Sequence, residues 1–125
     1  MSGFTLDTGG LIAIDRNDRR VLVLLERALE RGHRVTVPAT ALAQAIRSPA
    51  RQARLSRLVR QPSTDLVALD GADATRVGVL LARTRTSDIV DAHVVLCGRR
   101  LNQPVVTSDP DDLRRLDPTL PLVIV

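Results

Sequence analysis

The sequence predicts an α/β fold, on three observations. Short runs of β-branched and apolar residues recur along the chain, stretches with helical spacing lie between them, and several runs end in acidic or hydroxyl residues. Strands buried on both faces read as near-continuous apolar runs, so such runs separated by helices indicate a parallel sheet covered on both sides. A chain of 125 residues can bury a sizeable core, and no Gly/Ser/Pro-rich tract divides it. The expectation is one domain over residues 1–125, built on a central, mainly parallel five-stranded sheet.

FTLD (4–7) is the first strand, and Asp7-Thr8 can cap the short helix GLIAI that follows. VLVLLERALERG (21–32) is amphipathic, with Gly32 as its stop signal and His33 beyond it in a loop. RVTVP (34–38) is the second strand, and VPATALAQ leads from it through Thr40 to Gln44, one helical turn later. In PARQARLSRLVRQ (49–61), helical spacing puts Leu55, Leu58 and Val59 on one face and Arg54, Arg57 and Arg60 on another. DLVALD (65–70) is the third strand and GADATRVGVLLARTR (71–85) the helix after it. TSDIVDAHVVLCG (86–98) is an apolar helix that begins with two carboxylates. PVVTSD (104–109) is the fourth strand, Asp109-Pro110 a helix start with Asp109 as N-cap, and PLVIV (121–125) the fifth strand.

Composition excludes several classes. No stretch approaches the roughly 18 apolar residues that a membrane span needs, and no room precedes the first strand for a signal peptide, so a soluble, cytoplasmic protein is expected. The lone Cys97 lies inside an apolar run and reads as a small buried residue. All 18 basic residues are arginine, and the net charge is +4, which permits an anionic partner. Phe4 is the only aromatic, which argues against a nucleic-acid binder that stacks bases on several exposed rings. LDTGG lacks the dinucleotide fingerprint and no G-K-[ST] occurs, which removes Rossmann and P-loop readings.

Each acidic motif taken alone can be a helix cap. Asp7, Asp88 and Asp109 all stand where a side-chain oxygen could accept from orphan backbone N–H groups, and Asp91 and Asp112 each follow a cap by three residues. Independent caps have no reason to converge, however. The topology puts the ends of strands one and four at the same sheet edge, where ligands of open parallel sheets bind, and lets the helix from residue 88 arrive beside them. Converging carboxylates repel unless they keep protons or bind a hard cation.

LDTGGLIAI, LAQAIR, DIVDAHVV and VVTSDPDDL, in this order from Phe4 to Val125, resemble the PIN-domain ribonucleases, and specifically the toxins of VapBC-type toxin–antitoxin pairs. The resemblance implies a PIN-like α/β/α sandwich, an acidic cluster binding Mg²⁺ or Mn²⁺, and endonucleolytic cleavage of RNA. It puts the catalytic and metal-binding acids on Asp7, Asp91 and Asp109, with Asp88 as an additional acid one turn before Asp91. Where the family usually has a glutamate after strand two, this chain has Gln44, which removes one negative charge, and Asp88 is the candidate to restore it. Thr8, Thr107 and Asp112 flank the acids as auxiliary groups. Arg47, Arg51, Arg54 and Arg57 are the candidates for RNA contact; a solvated helix face is the alternative for them.

The implied chemistry is metal-assisted phosphodiester hydrolysis, in which the cation polarises the phosphate and acidifies a water that attacks in line. His93, two residues past Asp91 on a helix, points away from it, and no histidine is required. A VapB-type antitoxin is the expected inhibitory partner and a homodimer the expected assembly. The antitoxin segment would lie between the helix of residues 21–31 and the Arg-rich helix of residues 50–60. Two other classes compete. A phosphorelay receiver gathers acids at the same place but needs a lysine, and the chain has none. A silent PIN-like module, in which Gln44 has abolished turnover and only RNA or partner binding remains, fits the residues as well.

Overall fold

The computed structural model describes residues 3–125. Five strands form one sheet: β1 (Phe4–Leu6), β2 (Val35–Pro38), β3 (Thr64–Val67), β4 (Val105–Thr107) and β5 (Leu122–Ile124), in the order β3-β2-β1-β4-β5. Every pairing is parallel, so the expectation of a mainly parallel sheet becomes an all-parallel one. The register pairs Thr5 with Thr36 on one side and with Val105 on the other. Among the described residues the α-helices number seven: α1 (Thr8–Asp15), α2 (Arg19–Glu30), α3 (Ala39–Ala45), α4 (Ala53–Arg60), α5 (Gly71–Thr84), α6 (Ile89–Leu101) and α7 (Pro110–Leu116).

The apolar runs form the central strands because both of their faces are covered. Leu6, Val37, Val105 and Val106 have no exposed surface. Helix α6 packs across β1, β2 and β4 with α5 and α7 beside it, whereas α1 packs on β1 and β4 and meets α2 and α4. That explains the long apolar reach of α6, whose Ala92, His93, Val94, Val95, Cys97 and Gly98 are all buried. Helices on both faces make the α/β/α layering that the sequence predicts.

Three boundaries depart from the sequence reading. Helix α2 begins at Arg19, two residues before the apolar pattern, because Asp18 caps it by accepting from the Arg20 N–H at 2.9 Å. Strand β3 is an edge strand of four residues, not the six of DLVALD, and its exposed Leu66 shows how little of it is covered. The segment 49–61 is not one helix: a 3₁₀ turn at Pro49–Arg51 is followed by α4. Gln52 forces the break, its Oε1 accepting from the Arg47 and Ser48 N–H groups and its Nε2 donating to the Ala45 carbonyl.

Candidate active site

Strand β1 is followed in the sheet order by β2 on one side and β4 on the other, so the chain's direction of winding reverses between β1 and β4. Loops leaving two adjacent parallel strands in opposite directions open a crevice at their carboxyl ends. Asp7 leaves β1 there and Ser108-Asp109 leave β4. The crevice is a cavity of about 350 Å³ lined by Asp7, Thr8, Gly9, Gln44, Asp88, Asp91, Ser108, Asp109 and Asp112, with Ile12 as its apolar wall.

Asp7 is held from two directions. Its backbone N–H donates to Val106 at 3.2 Å, tying it to β4, and its Oδ1 accepts from the Gly10 N–H at 2.7 Å, capping α1. Burial pushes its carboxyl above the ordinary range and the charge of Asp109 adds to this; hydrogen bonds from Thr107 and Gly10 pull it back. Asp88 caps α6 in the same way, Oδ1 to the Asp91 N–H at 2.9 Å. Those two caps match the sequence reading.

Asp109 does not. It occupies the N-cap position of α7 but makes no side-chain capping bond. Thr107 Oγ1 accepts the Asp109 backbone N–H at 2.9 Å, and Pro110 brings no N–H at the first helical position, so the carboxylate is left to the crevice. There a hydrogen bond shared with Asp112, and that residue's charge, raise its proton affinity, while Arg115 works against the rise.

Asp91 carries the largest perturbation. Partial burial, then the charges of Asp88, Asp112, Asp7 and Asp109, push its carboxyl up to about 7. Gln44, on the last turn of α3, stands with its Oε1 accepting from Thr8 Oγ1 at 2.7 Å. With the carbonyl engaged, the amide N–H₂ is free for the carboxylate-lined space, the orientation that electrostatics favours.

The sequence-predicted acids, Thr8 and Gln44 thus share one cavity, and Thr107 lies buried behind it. Ser108 and Gly9 were not singled out by sequence. A Cβ on Gly9 would stand 2.1 Å from Ser108 Oγ, so the glycine is what lets the first turn of α1 and the β4–α7 loop approach. The arginines lie elsewhere. Arg54 and Arg57 line a separate apolar groove, the Arg47 guanidinium donates to the Ala43 and Ile46 carbonyls, and Arg51 is exposed on the 3₁₀ turn. His93 is fully buried with Nδ1 2.7 Å from Thr40 Oγ1, and burial lowers its pKa, which makes it a neutral bolt between α6 and α3. Burial raises the Cys97 thiol to about 11 and leaves it unreactive.

The donor set fits a hard divalent cation. The five carboxylates and the Thr8 and Ser108 hydroxyls offer oxygen, and the crowding that lifts Asp91 is the charge such an ion relieves. Among the described residues no three His, Cys, Asp or Glu side chains stand together as a finished cage. Mg²⁺ characteristically takes one or two carboxylates and keeps several waters, so an open acidic rim suits it.

A family profile for the PIN domain matches residues 4–117. Three solved structures share the fold. VapBC2 from Rickettsia felis, bound to a DNA fragment from its promoter, matches at 16% identity over 98% of both chains with a TM-score of 0.67. FitAB bound to an IR36 DNA fragment matches at 14% identity over 97% of this chain and 94% of that one, TM-score 0.65. FitAcB from Neisseria gonorrhoeae matches at 17% identity over 95% of each, TM-score 0.60. No curated protein matches the sequence.

Proposed function

Because the chain belongs to the PIN-domain family, whose members are generally nucleases, we propose that it is a metal-dependent endoribonuclease of the VapC toxin type, restrained by a VapB-type antitoxin. The observation that carries this reading is the crevice where β1 and β4 end, into which five aspartates project with Asp91 raised to about 7. Asp7, Asp91 and Asp109 would hold the cation, with Asp88 supplying the charge that Gln44 lacks. When bound, Mg²⁺ or Mn²⁺ supplies a Lewis acid for the phosphate and a lowered pKa for water.

The protein's own part is positioning. The caps of Asp7 and Asp88 each fix one carboxylate oxygen at a helix start on the crevice lining. Asp109 has no capping duty, and Thr107 sets its backbone. Gln44, with its carbonyl engaged by Thr8, turns donors toward an anionic phosphate that carboxylates alone would repel. That same contact supports a second reading, in which the chain binds RNA or a partner and turns over weakly or not at all.

The antitoxin would lie in the apolar groove of about 300 Å³ between α2 and α4, lined by Leu22, Leu25 and Leu29 from one helix and Arg54, Arg57 and Leu58 from the other. An amphipathic segment seats its apolar stripe in such a groove, and acidic flanks would meet the two arginines. RNA cleavage by the purified protein separates the two functional readings. Cleavage that needs Mg²⁺ or Mn²⁺, stops with chelator and is lost in Asp91→Asn supports the nuclease; RNA binding without any cleavage, restored by Gln44→Glu, supports the silent module.

A further inference from the structure

A second hollow, of about 290 Å³, lies beside the acidic crevice. Asp88, Asp91 and Asp112 line both spaces, so the two are adjacent. Its far wall has the opposite character: Arg85, Thr86, Ser87 and Arg115. Arg85 ends α5 in a left-handed backbone conformation, φ 56°, which turns the loop 85–88 back toward α6. Arg115 comes from the last turn of α7 and lines the same hollow.

Some of the arginines are committed to carboxylates. Arg20, Arg34, Arg99 and Arg100 each make close charge-assisted contacts with an aspartate. Arg85 has no ion pair among the described residues. Arg115 has only a 3.7 Å contact with Asp112 while 72% exposed, a geometry that holds little. Two arginines without a close ion pair therefore line one hollow beside a carboxylate crevice.

The chemistry of a polynucleotide gives that pairing a purpose. Each nucleotide brings another phosphate, and a strand whose scissile phosphate lies at the acids must pass its neighbours across the same negative rim. A guanidinium fork matches phosphate oxygens, and the Thr86 and Ser87 hydroxyls add donors beside it. We propose that the hollow between Arg85 and Arg115 is a phosphate subsite, holding the phosphodiester adjacent to the one in the acidic crevice and so fixing the path of the RNA strand. This rests on the nuclease reading of the crevice and adds the direction in which the substrate runs.

The test uses Arg85→Gln with Arg115→Gln, Arg115→Gln alone, and Arg114→Gln as a control that removes equal charge from the same helix. Binding of a single-stranded RNA of about ten nucleotides is followed by fluorescence anisotropy across a salt series, in chelator and in Ca²⁺. The double variant should bind at least about tenfold more weakly, and its slope of log affinity against log salt should shrink by about 0.7, the value for one lost phosphate contact on a single strand. Arg115→Gln alone should fall between, which keeps the test open if the double variant folds poorly, and Arg114→Gln should match wild type. In cleavage assays KM should rise with kcat retained, whereas a dinucleotide, which has no second phosphate to offer, should be cut equally by all. Unchanged affinity and slope in a wild-type-active background, or an equal loss in Arg114→Gln, overturns the subsite alone. No RNA binding or cleavage by the wild type overturns the nuclease reading with it.

Discussion

Asp91 shows how a single side chain records its surroundings. A carboxylic acid whose folded pKa lies above its unfolded value resists ionising only in the folded state, so folding is favoured below the unfolded pKa and loses that advantage as pH rises through the folded one. For Asp91 that window runs from about 4, the ordinary value, to about 7. Asp7 and Asp109 shift in the same direction. Asp73, held down by Arg100 and Arg76, and Asp117, held down against its burial by hydrogen bonds from Thr119 and Arg99, shift oppositely, and their contribution is lost only as pH falls below the usual carboxylate range. In metal-free buffer the melting temperature should therefore fall between pH 5 and pH 8, and Asp91→Asn should flatten the fall; a profile that rises over this interval would contradict the crowding. Asp7 separates its two duties by choice of substitution. Asn keeps the acceptor for the Gly10 N–H and sheds the charge, so Asp7→Asn should leave stability unchanged or higher, whereas Asp7→Ala should cost about 1 kcal/mol in urea unfolding. At Gln44, the engaged carbonyl leads to the expectation that Gln44→Glu tightens Mn²⁺ binding and Asp88→Asn weakens it by calorimetric titration.

At the scale of elements, the strands were legible because β-branched apolar runs buried on both faces have few other readings. The break before α4 was not. It depends on Gln52, whose amide reaches Arg47, Ser48 and Ala45 and also Asp15 on α1, contacts that no periodicity announces. The acids of the crevice were legible by residue type and strand position. Arg85 and Arg115 were not, since they meet only through the packing of α5, α6 and α7. Helices α2 and α4 also divide labour between residues that hold the fold and residues that await a partner. Leu55 is fully buried, so Leu55→Ala should destabilise the chain by about 2–5 kcal/mol. Leu29 lines the groove and is 53% exposed. Leu29→Ala should leave the unfolding midpoint within about 0.5 kcal/mol of wild type while weakening a co-expressed antitoxin's hold in pull-down.

Across the whole molecule, the crevice depends on the first turn of α1 meeting the β4–α7 loop at Gly9 and Ser108. Gly9→Ala, compatible with the helical backbone there, should retain most of the secondary structure yet push the β4–α7 loop outward. Mn²⁺-dependent stabilisation, measured as the shift in melting temperature on adding the ion, should shrink sharply; an undiminished shift would show that the crevice needs no such closeness.

The strand order has a further consequence in time. Asp7 and Asp109 follow the ends of neighbouring strands although 102 positions apart in the chain, since 109 − 7 = 102. Synthesis delivers the amino-terminal part first, and β1 has no β4 to pair with until residues 105–107 have been added. While still on the ribosome the chain carries its first acid without its last, on a sheet that lacks the neighbour completing the crevice. For a chain proposed to cut RNA, this layout keeps the site incomplete on the nascent protein until β4 has emerged, and so spares the message through the synthesis of everything between the two acids.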